Sequence, residues 1–408
     1  MSERNYFGLA VWVAVAGMLL VGCSKEDTDA NANGNGVPDL SYPEPATDAI
    51  DQTHTETAQK LINGGVRFLL RQQRDDGGWS FAPDQPSNPA LTAMVLKTLA
   101  QHPDLSHQTP AVKKGYDLML SFQQPNGGIY DTDSPHRQEN YTTAVAVMAL
   151  AAAENPEWND EMGRAVDYLK GLQIVPGSET GDGDVIQDAN HPFVGGVSYG
   201  KHGRPDMSNV SMFLQALEES GVPGDDPAVQ RARLFAERAQ NLQETNPLGW
   251  AEKGPNDGGF IYAPAKRDAV TPESKAGELR SYGSMTYAGF KSLLYAGVDR
   301  QDQRVQRAFD WIRQHWELDV NPNMPSKQSR EGLYYYYHIF AKALRAWGQP
   351  VITDPEGEKH NWREELVSVL AEQVNDDGSW TGDKRWYERT PILATSYSVL
   401  ALQEAFRK

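Results

Sequence analysis

Phe68 Leu69 Leu70 Arg71 Gln72 Gln73 Arg74 Asp75 Asp76 Gly77 Gly78 Trp79 runs from the end of a helical pattern through a doubled glycine to an aromatic ring. The same word returns as Tyr116 to Gln123 followed by Gln124 Pro125 Asn126 Gly127 Gly128 Ile129 Tyr130, and again as Gln373 Val374 Asn375 Asp376 Asp377 Gly378 Ser379 Trp380. Weaker copies read Gly195 Gly196 Val197 Ser198 Tyr199, Asp257 Gly258 Gly259 Phe260 and Gly332 Leu333 Tyr334. Measured at Gly78, Gly128, Gly196, Gly259, Gly332 and Gly378, successive copies lie 46 to 73 residues apart. Such periods belong to a repeated supersecondary unit that cannot bury its own apolar face alone. In this reading Gln73, Gly78, Trp79, Gln124, Gly128, Tyr130, Gly378 and Trp380 are structural. Glycine permits the tight turn, a glutamine side chain can bond the turn's backbone, and the aromatic ring covers it.

Each unit holds two helix patterns of different character. Before the turn, apolar residues recur at three-to-four spacing with charges between them, as in Met162, Val166, Leu169 and Leu172, or Val305, Phe309 and Ile312. That is an outer helix with one wet face. After the turn come stretches apolar nearly all round: Leu91 to Leu99, Tyr141 to Ala153, Val210 to Leu217, Met285 to Ala296, Leu333 to Ala346 and Ile392 to Leu402. A helix hydrophobic on every side must be surrounded. The expected fold is therefore all-α, an (α/α)6 toroid over residues 51–408, with dry helices inside and half-wet helices around them. A closed ring needs no polar terminal repeat; an open solenoid of the same hairpins is the alternative.

Ahead of the ring, Tyr6 to Val21 is an uncharged apolar run preceded by Arg4 and followed by Lys25, Glu26 and Asp27. A bilayer-spanning helix needs roughly 20 apolar residues, so this run suits a signal-peptide core better than a permanent span. Leu20 Val21 Gly22 Cys23 resembles the bacterial lipobox, which implies cleavage before Cys23 and lipidation of it. Cys23 is the only cysteine, so no disulfide or multi-cysteine metal site competes for it. Residues 1–22 are read as a lipoprotein signal peptide and 23–50 as a tether rich in Gly, Asn, Asp and Pro. Ser24 after the cysteine resembles sorting to the outer membrane. The expected localisation is thus an exported bacterial lipoprotein on the periplasmic side, with the membrane as partner through its anchor. Asn31 to Asp39 has the spacing of a calcium loop, but with asparagine in three acidic places. Neutral amides bind hard cations weakly, so the segment reads as linker and no metal or cofactor is expected. The net charge of −17 argues against nucleic acid and anionic lipid headgroups as partners, because either would be repelled.

The glutamine, doubled-glycine and tryptophan word resembles the QW motif of squalene-hopene and related triterpene cyclases. The two-layer pattern resembles the toroid that they share with protein prenyltransferase β subunits. The likeness covers roughly residues 55–408. A triterpene cyclase of this kind protonates an alkene with an Asp-x-Asp-Asp acid, and the sequence has none. The nearest approaches are Asp131 Thr132 Asp133 Ser134 and Asp182 Gly183 Asp184 Val185. Prenyltransferases bind zinc through Asp, Cys and His. Their cysteine is missing here, and Ala394 stands where their histidine falls within Leu393 Ala394 Thr395 Ser396 Tyr397. The Cys-Gly-Glu-Gln of the related thioester domains is absent too.

What remains is an aromatic inner layer. Tyr334 to Tyr337 point in four directions on one helix, so some must face the interior or rim. Tyr335 and Tyr336 are thus cavity or rim candidates, with Tyr141, Tyr282, Tyr287, Trp386 and Tyr397 in comparable places of their own repeats; each reads equally as core. His338 lies on the same apolar helix, and Arg280 beside Glu278 suits an anionic head or a rim carboxylate. Three functions follow. The first expectation is a lipoprotein binding an apolar small molecule or a glycan, or serving as an envelope scaffold. The second is a cyclase-like enzyme with a displaced acid, Asp131 or Asp133, one of which should then be buried. The third is a carbohydrate-active toroid using paired carboxylates such as Glu139, Asp206 and Glu388.

Overall fold

The computed structural model describes residues 38–134, 138–179, 185–200, 203–264 and 279–408. Twelve α-helices alternate between two layers. The outer set is α1 (Gln52–Arg71), α3 (Pro110–Ser121), α5 (Asn159–Gly171), α7 (Pro227–Arg238), α9 (Gln303–Gln314) and α11 (Trp362–Gln373). The inner set is α2 (Pro89–Ala100), α4 (Glu139–Ala153), α6 (Met207–Glu219), α8 (Gly283–Tyr295), α10 (Leu333–Trp347) and α12 (Pro391–Ala405). The apolar periodicity sets the layer. In α9 only Val305, Ala308, Phe309, Trp311 and Ile312 are buried, whereas in α12 every residue from Ile392 to Ala405 is. Starts are fixed locally: Asp51, Asn88, Asp206, Asp226, Asp302 and Asn361 accept backbone N–H bonds as N-caps. Each inner helix packs on the next, α2 on α4 through to α10 on α12, and α12 packs back on α2. That last contact closes the toroid and removes the open solenoid.

The repeat word does its work at the turn between layers, with one shift from the expected register. Gln73 donates its amide both to Gly77 O at 2.8 Å and to Ala111 O at the start of α3 at 2.7 Å. Gln123, Gln173 and Gln240 make the same two bonds to their own turn glycine and next outer helix. Gln123, rather than Gln124, is therefore the equivalent of Gln73; Gln124 closes its own loop onto Phe122 O and Tyr130 O. Within each doubled glycine the first residue carries the positive φ, +94° at Gly77 and +92° at Gly127. The second, Gly78 or Gly128, is there for space: a Cβ would meet Leu118 and Ser87, or Tyr168. Gly378, with φ +84°, corresponds to the first kind.

Trp79 and Trp380 donate their ring N–H to Leu69 O and Leu370 O, both at 2.8 Å. Their backbone N–H groups bond Thr92 and Thr395 in the following inner helix. Ile129 and Phe260 bond Thr143 and Thr286 in the same way. Ile129 thus holds the place assigned to Tyr130, which instead stacks on Tyr168. Gly332 is the N-cap of α10 and not a turn between layers, so the fifth hairpin lacks the word.

Residues 38–50, expected as tether, lie along the ring. Leu40 and Ile50 are buried, Ala46 N–H bonds Phe406 O at 2.7 Å, and Tyr42 packs edge-on against Phe406. A two-stranded antiparallel hairpin, β1 (Val351–Thr353) with β2 (Lys359–Asn361), joins α10 to α11 and had no signal in the sequence. Cys23 and most of the calcium-like loop lie outside the described residues. No helix among the described residues is long and apolar enough to cross a membrane.

Candidate functional site

The first turns of all six inner helices open onto one cavity of about 1200 Å³. Its floor is apolar: Leu91 and Met94 of α2, Met285 of α8 and Leu393 of α12. Its walls are tyrosines from several of the helices. Tyr141 and Tyr397 share a 2.8 Å hydrogen bond across α4 and α12, and Tyr335 of α10 accepts from Ser208 of α6 at 3.0 Å. Burial raises the pKa of all three tyrosines, so they stay neutral and offer ring faces. Tyr199, Tyr262 and Tyr282 complete the wall.

Into this wall projects Glu388. The carboxylate follows Trp386 and Tyr387, two consecutive non-glycine residues with φ of +58° and +63°. Backbone in that region costs on the order of 1 to 3 kcal/mol per residue and persists where the surroundings impose it. Here it turns Trp386 and Tyr387 outward, both more than half exposed, and Glu388 inward, with no exposed surface. Glu388 Oε1 accepts the N–H of Tyr335 in the first turn of α10 at 2.7 Å. Its other oxygen, Oε2, is buried and has no hydrogen-bond partner among the described residues. Burial raises the pKa to about 8, outweighing the backbone N–H groups of α10 that lower it. Burial thus favours the neutral carboxylic acid over the carboxylate.

The rim carries the other carboxylates. Asp131 is half-buried and Asp133 exposed, joined by the N–H of Asp133 to Asp131 Oδ1 at 2.9 Å. Glu331, before α10, is half-buried on the same cavity lining. Arg385 is the only Lys or Arg that lines the cavity among the described residues, and its guanidinium lies over the Trp386 ring, 4.7 Å from the centroid. Asp206 is buried with its pKa raised by burial to about 6, but it is spent as the N-cap of α6, accepting from Asn209 N and Nδ2, both at 2.9 Å.

Of the sequence candidates, Tyr141, Tyr282, Tyr335, Trp386, Tyr397, Asp131 and Asp133 line the cavity or its mouth. Tyr287 and Tyr336 do not; they pack on each other in the core, and Tyr336 donates to Glu317 O. His338 is buried below the cavity, stacked on Tyr397. Arg280 reaches Asn323 O away from the lining, and Glu139 sits in the first turn of α4 outside it. Glu388 had only its place before an inner helix to mark it in the sequence; the strained Trp386–Tyr387 turn that buries it has no sequence signature. Among the described residues one trio has donor atoms close enough for a metal, Asp51, His54 and Glu364 on the outer helices α1 and α11, with Asp51 already capping α1.

The ring of alternating inner and outer helices defines an (α/α)6 toroid. The fold is similar to that of the type II terpene cyclase MstE from Scytonema in complex with merosterolic acid A, with a TM-score of 0.54 and 17% identity, covering 88% of this chain and 99% of that one. It is similar also to a D-mannose isomerase, TM-score 0.57 and 13% identity over 87% and 99%. MstE without ligand aligns at a TM-score of 0.51 and 16% identity over 86% and 98%. No protein-family profile matches the sequence, and no curated protein is similar to it. At such identities the likeness is one of fold.

Proposed function

We propose that the protein is a general-acid enzyme for an uncharged isoprenoid, with Glu388 as proton donor. The observation that carries this reading is the carboxyl of Glu388, fully buried, with its pKa raised by burial and with Oε2 lacking a hydrogen-bond partner among the described residues, on the lining of a tyrosine-walled cavity. An alkene or epoxide is a weak base, so its donor must hold a proton in a dry site, and ring faces must meet the positive charge that forms. The O–H bond of Glu388 breaks as the substrate's electron pair takes the proton. The carboxylate left behind accepts the Tyr335 N–H at the positive end of α10, which strengthens as charge develops. The C–H bond of a neighbouring carbon then breaks, its electron pair restores the alkene and its proton returns to the Glu388 carboxylate, so the reaction is an isomerisation or cyclisation without a co-reactant. The acidic rim, with Arg385 the one Lys or Arg on the lining among the described residues, disfavours a diphosphate substrate. The neutral-isoprenoid reading replaces Asp131 and Asp133 as the acid, since neither is buried.

The test is incubation of the full-length protein with squalene, geranylgeraniol and their epoxides, with products separated by gas chromatography and mass spectrometry. Turnover that Glu388→Gln lowers by a factor of 10² or more, in line with general-acid catalysis, supports the reading. Turnover unchanged by Glu388→Gln sinks it. Cleavage of neutral oligosaccharides that depends on Glu388 together with Asp131 or Asp133 would assign the cavity to carbohydrate instead, and binding without turnover would make it a ligand-binding module.

A further inference from the structure

We infer that the opposite end of the ring holds a second binding site, for a small zwitterion that carries one carboxylate and one ammonium, such as a free amino acid. A cavity of about 730 Å³ opens there among the last turns of α4, α6 and α10, the end of α2 and the segment after α12. It shares no lining residue with the tyrosine-walled cavity, and its size is that of a small-ligand pocket. The hollow exists because side chains are small where the helices end: Ala100 closes α2, and Ala151, Ala152 and Ala153 end α4. Tyr335 in the first turn of α10 serves Glu388, whereas Arg345 in its last turn lines the second cavity, so roughly 15 Å of helix separates the two sites.

The walls divide by sign. Lys342 and Arg345 of α10 and Arg407 beyond α12 supply the cations, and α10 and α12 are neighbours in the ring. Glu218 and Glu219 at the end of α6 and Glu154 just past α4 supply the carboxylates, and α4 and α6 are neighbours too. The lining is thus balanced in charge but polarised, which suits neither a plain anion nor a plain cation. At its base the halves meet, Lys342 donating to Glu219 Oε1 at 2.8 Å. On the cationic side Arg345 and Arg407 pair with the buried Glu404 at 2.5 and 3.3 Å, each through one nitrogen, and the rest of each guanidinium has no hydrogen bond among the described residues. A guanidinium fork matches a carboxylate. On the acidic side Glu218 is exposed, and no hydrogen bond or ion pair among the described residues engages its carboxylate. Gln101 Oε1, buried on the same lining, also lacks a hydrogen-bond partner among the described residues. Together with the negative ends of α4 and α6, these acceptors suit an ammonium.

The test is isothermal titration calorimetry of the full-length protein with glycine, β-alanine, 4-aminobutyrate and 6-aminohexanoate, each up to about 10 mM. The series varies the distance between the two charges, while butyrate and butylamine present one charge alone. At least one zwitterion should bind about tenfold or more tightly than both single-charge analogues, because a charge-assisted hydrogen bond is worth a factor of that order. Arg407→Gln and Glu218→Gln should each weaken this binding about tenfold. Ala152→Met, which fills the cavity and removes no charge, should abolish it. Urea unfolding shows whether each variant is folded, and should Arg407→Gln fail to fold, Glu218→Gln and Ala152→Met still decide. No binding by any zwitterion overturns the proposal. So does an analogue that binds as tightly as the zwitterions, which would make the cavity a plain anion or cation site, and so does binding that survives Ala152→Met. Glu388→Gln should leave the titration unchanged, so failure of the general-acid reading and failure of this one are distinguishable.

Discussion

Glu388 sits between two opposed effects. The N-terminus of α10 donates the Tyr335 N–H and favours the carboxylate, while complete burial favours the neutral acid, and burial prevails with a pKa of about 8. In the unfolded chain an ordinary glutamate titrates near ~4.3. Between those values the folded protein holds a proton that the unfolded chain has released, so this group's contribution to stability is full below the lower value and declines as pH rises to about 8. The limiting slope is about 1.4 kcal/mol per pH unit. Glu388→Gln keeps an acceptor for the Tyr335 N–H and cannot ionise. Urea unfolding should therefore show the variant gaining on the native protein between pH 5 and 8 and holding its gain above that. A difference that does not change with pH would mean the carboxyl is ionised in the fold and serves only to cap α10. Catalysis shares this preference for the protonated form, falling in the native protein once pH passes about 8, as the donor loses its proton.

At the scale of the element, the hairpin turn separates what the sequence discloses from what it conceals. The doubled glycine and the tryptophans at 79 and 380 were legible, because left-handed backbone and a buried indole N–H restrict residue type. The register of the glutamine was not: Gln123 and Gln124 are adjacent and chemically identical, and only Ala111-type carbonyls on the next outer helix tell them apart. The threonines at 92, 143, 286 and 395 were missed because nothing local distinguishes a threonine that bonds a neighbouring turn from one that packs. Gln240 is fully buried and joins Gly258 O to Arg304 O, so Gln240→Ala strands two carbonyls. It should destabilise by about 2 to 4 kcal/mol in urea unfolding. Gln124→Ala, whose bonds stay within a partly exposed loop, should cost about 1 kcal/mol. Equal losses would remove the bridge between hairpins as the purpose of the conserved-in-position glutamine.

For the whole molecule, the dry inner helices announced the ring, but what lies between the C-terminal halves of those helices did not appear in any local pattern. Lys97, Lys291 and Lys342 come from three inner helices and converge there, below the cavity, each spaced as an apolar position of its own helix. Lys97 and Lys342 both bond Glu219 at 2.7 to 2.8 Å, and Lys342 also pairs with Glu404 at 2.9 Å, tying α2, α6, α10 and α12 across the axis. Glu404, fully buried, is held near a pKa of about 2 by the cations around it, against the effect of burial. Lys291 differs: its hydrogen bond goes to the neutral Gln215 Oε1 at 2.7 Å, and burial, with Lys342 nearby, lowers its pKa to about 7. The two lysines should therefore respond oppositely to removal. Lys342→Met leaves Glu219 and Glu404 short of a partner and should destabilise by about 3 to 5 kcal/mol at pH 7. Lys291→Met removes a buried charge without an acidic hydrogen-bond partner. Because the unfolded lysine keeps its proton up to ~10.4, the native protein carries this penalty in full below pH 7 and sheds it as pH rises toward that value. The Met variant should then be the more stable protein at pH 6, with its advantage gone by pH 10.5. Thermal unfolding of both variants across that range decides the matter: a Lys291→Met protein less stable at pH 6 would mean that the ammonium is paired within the network and that the ring's axis depends on all three lysines.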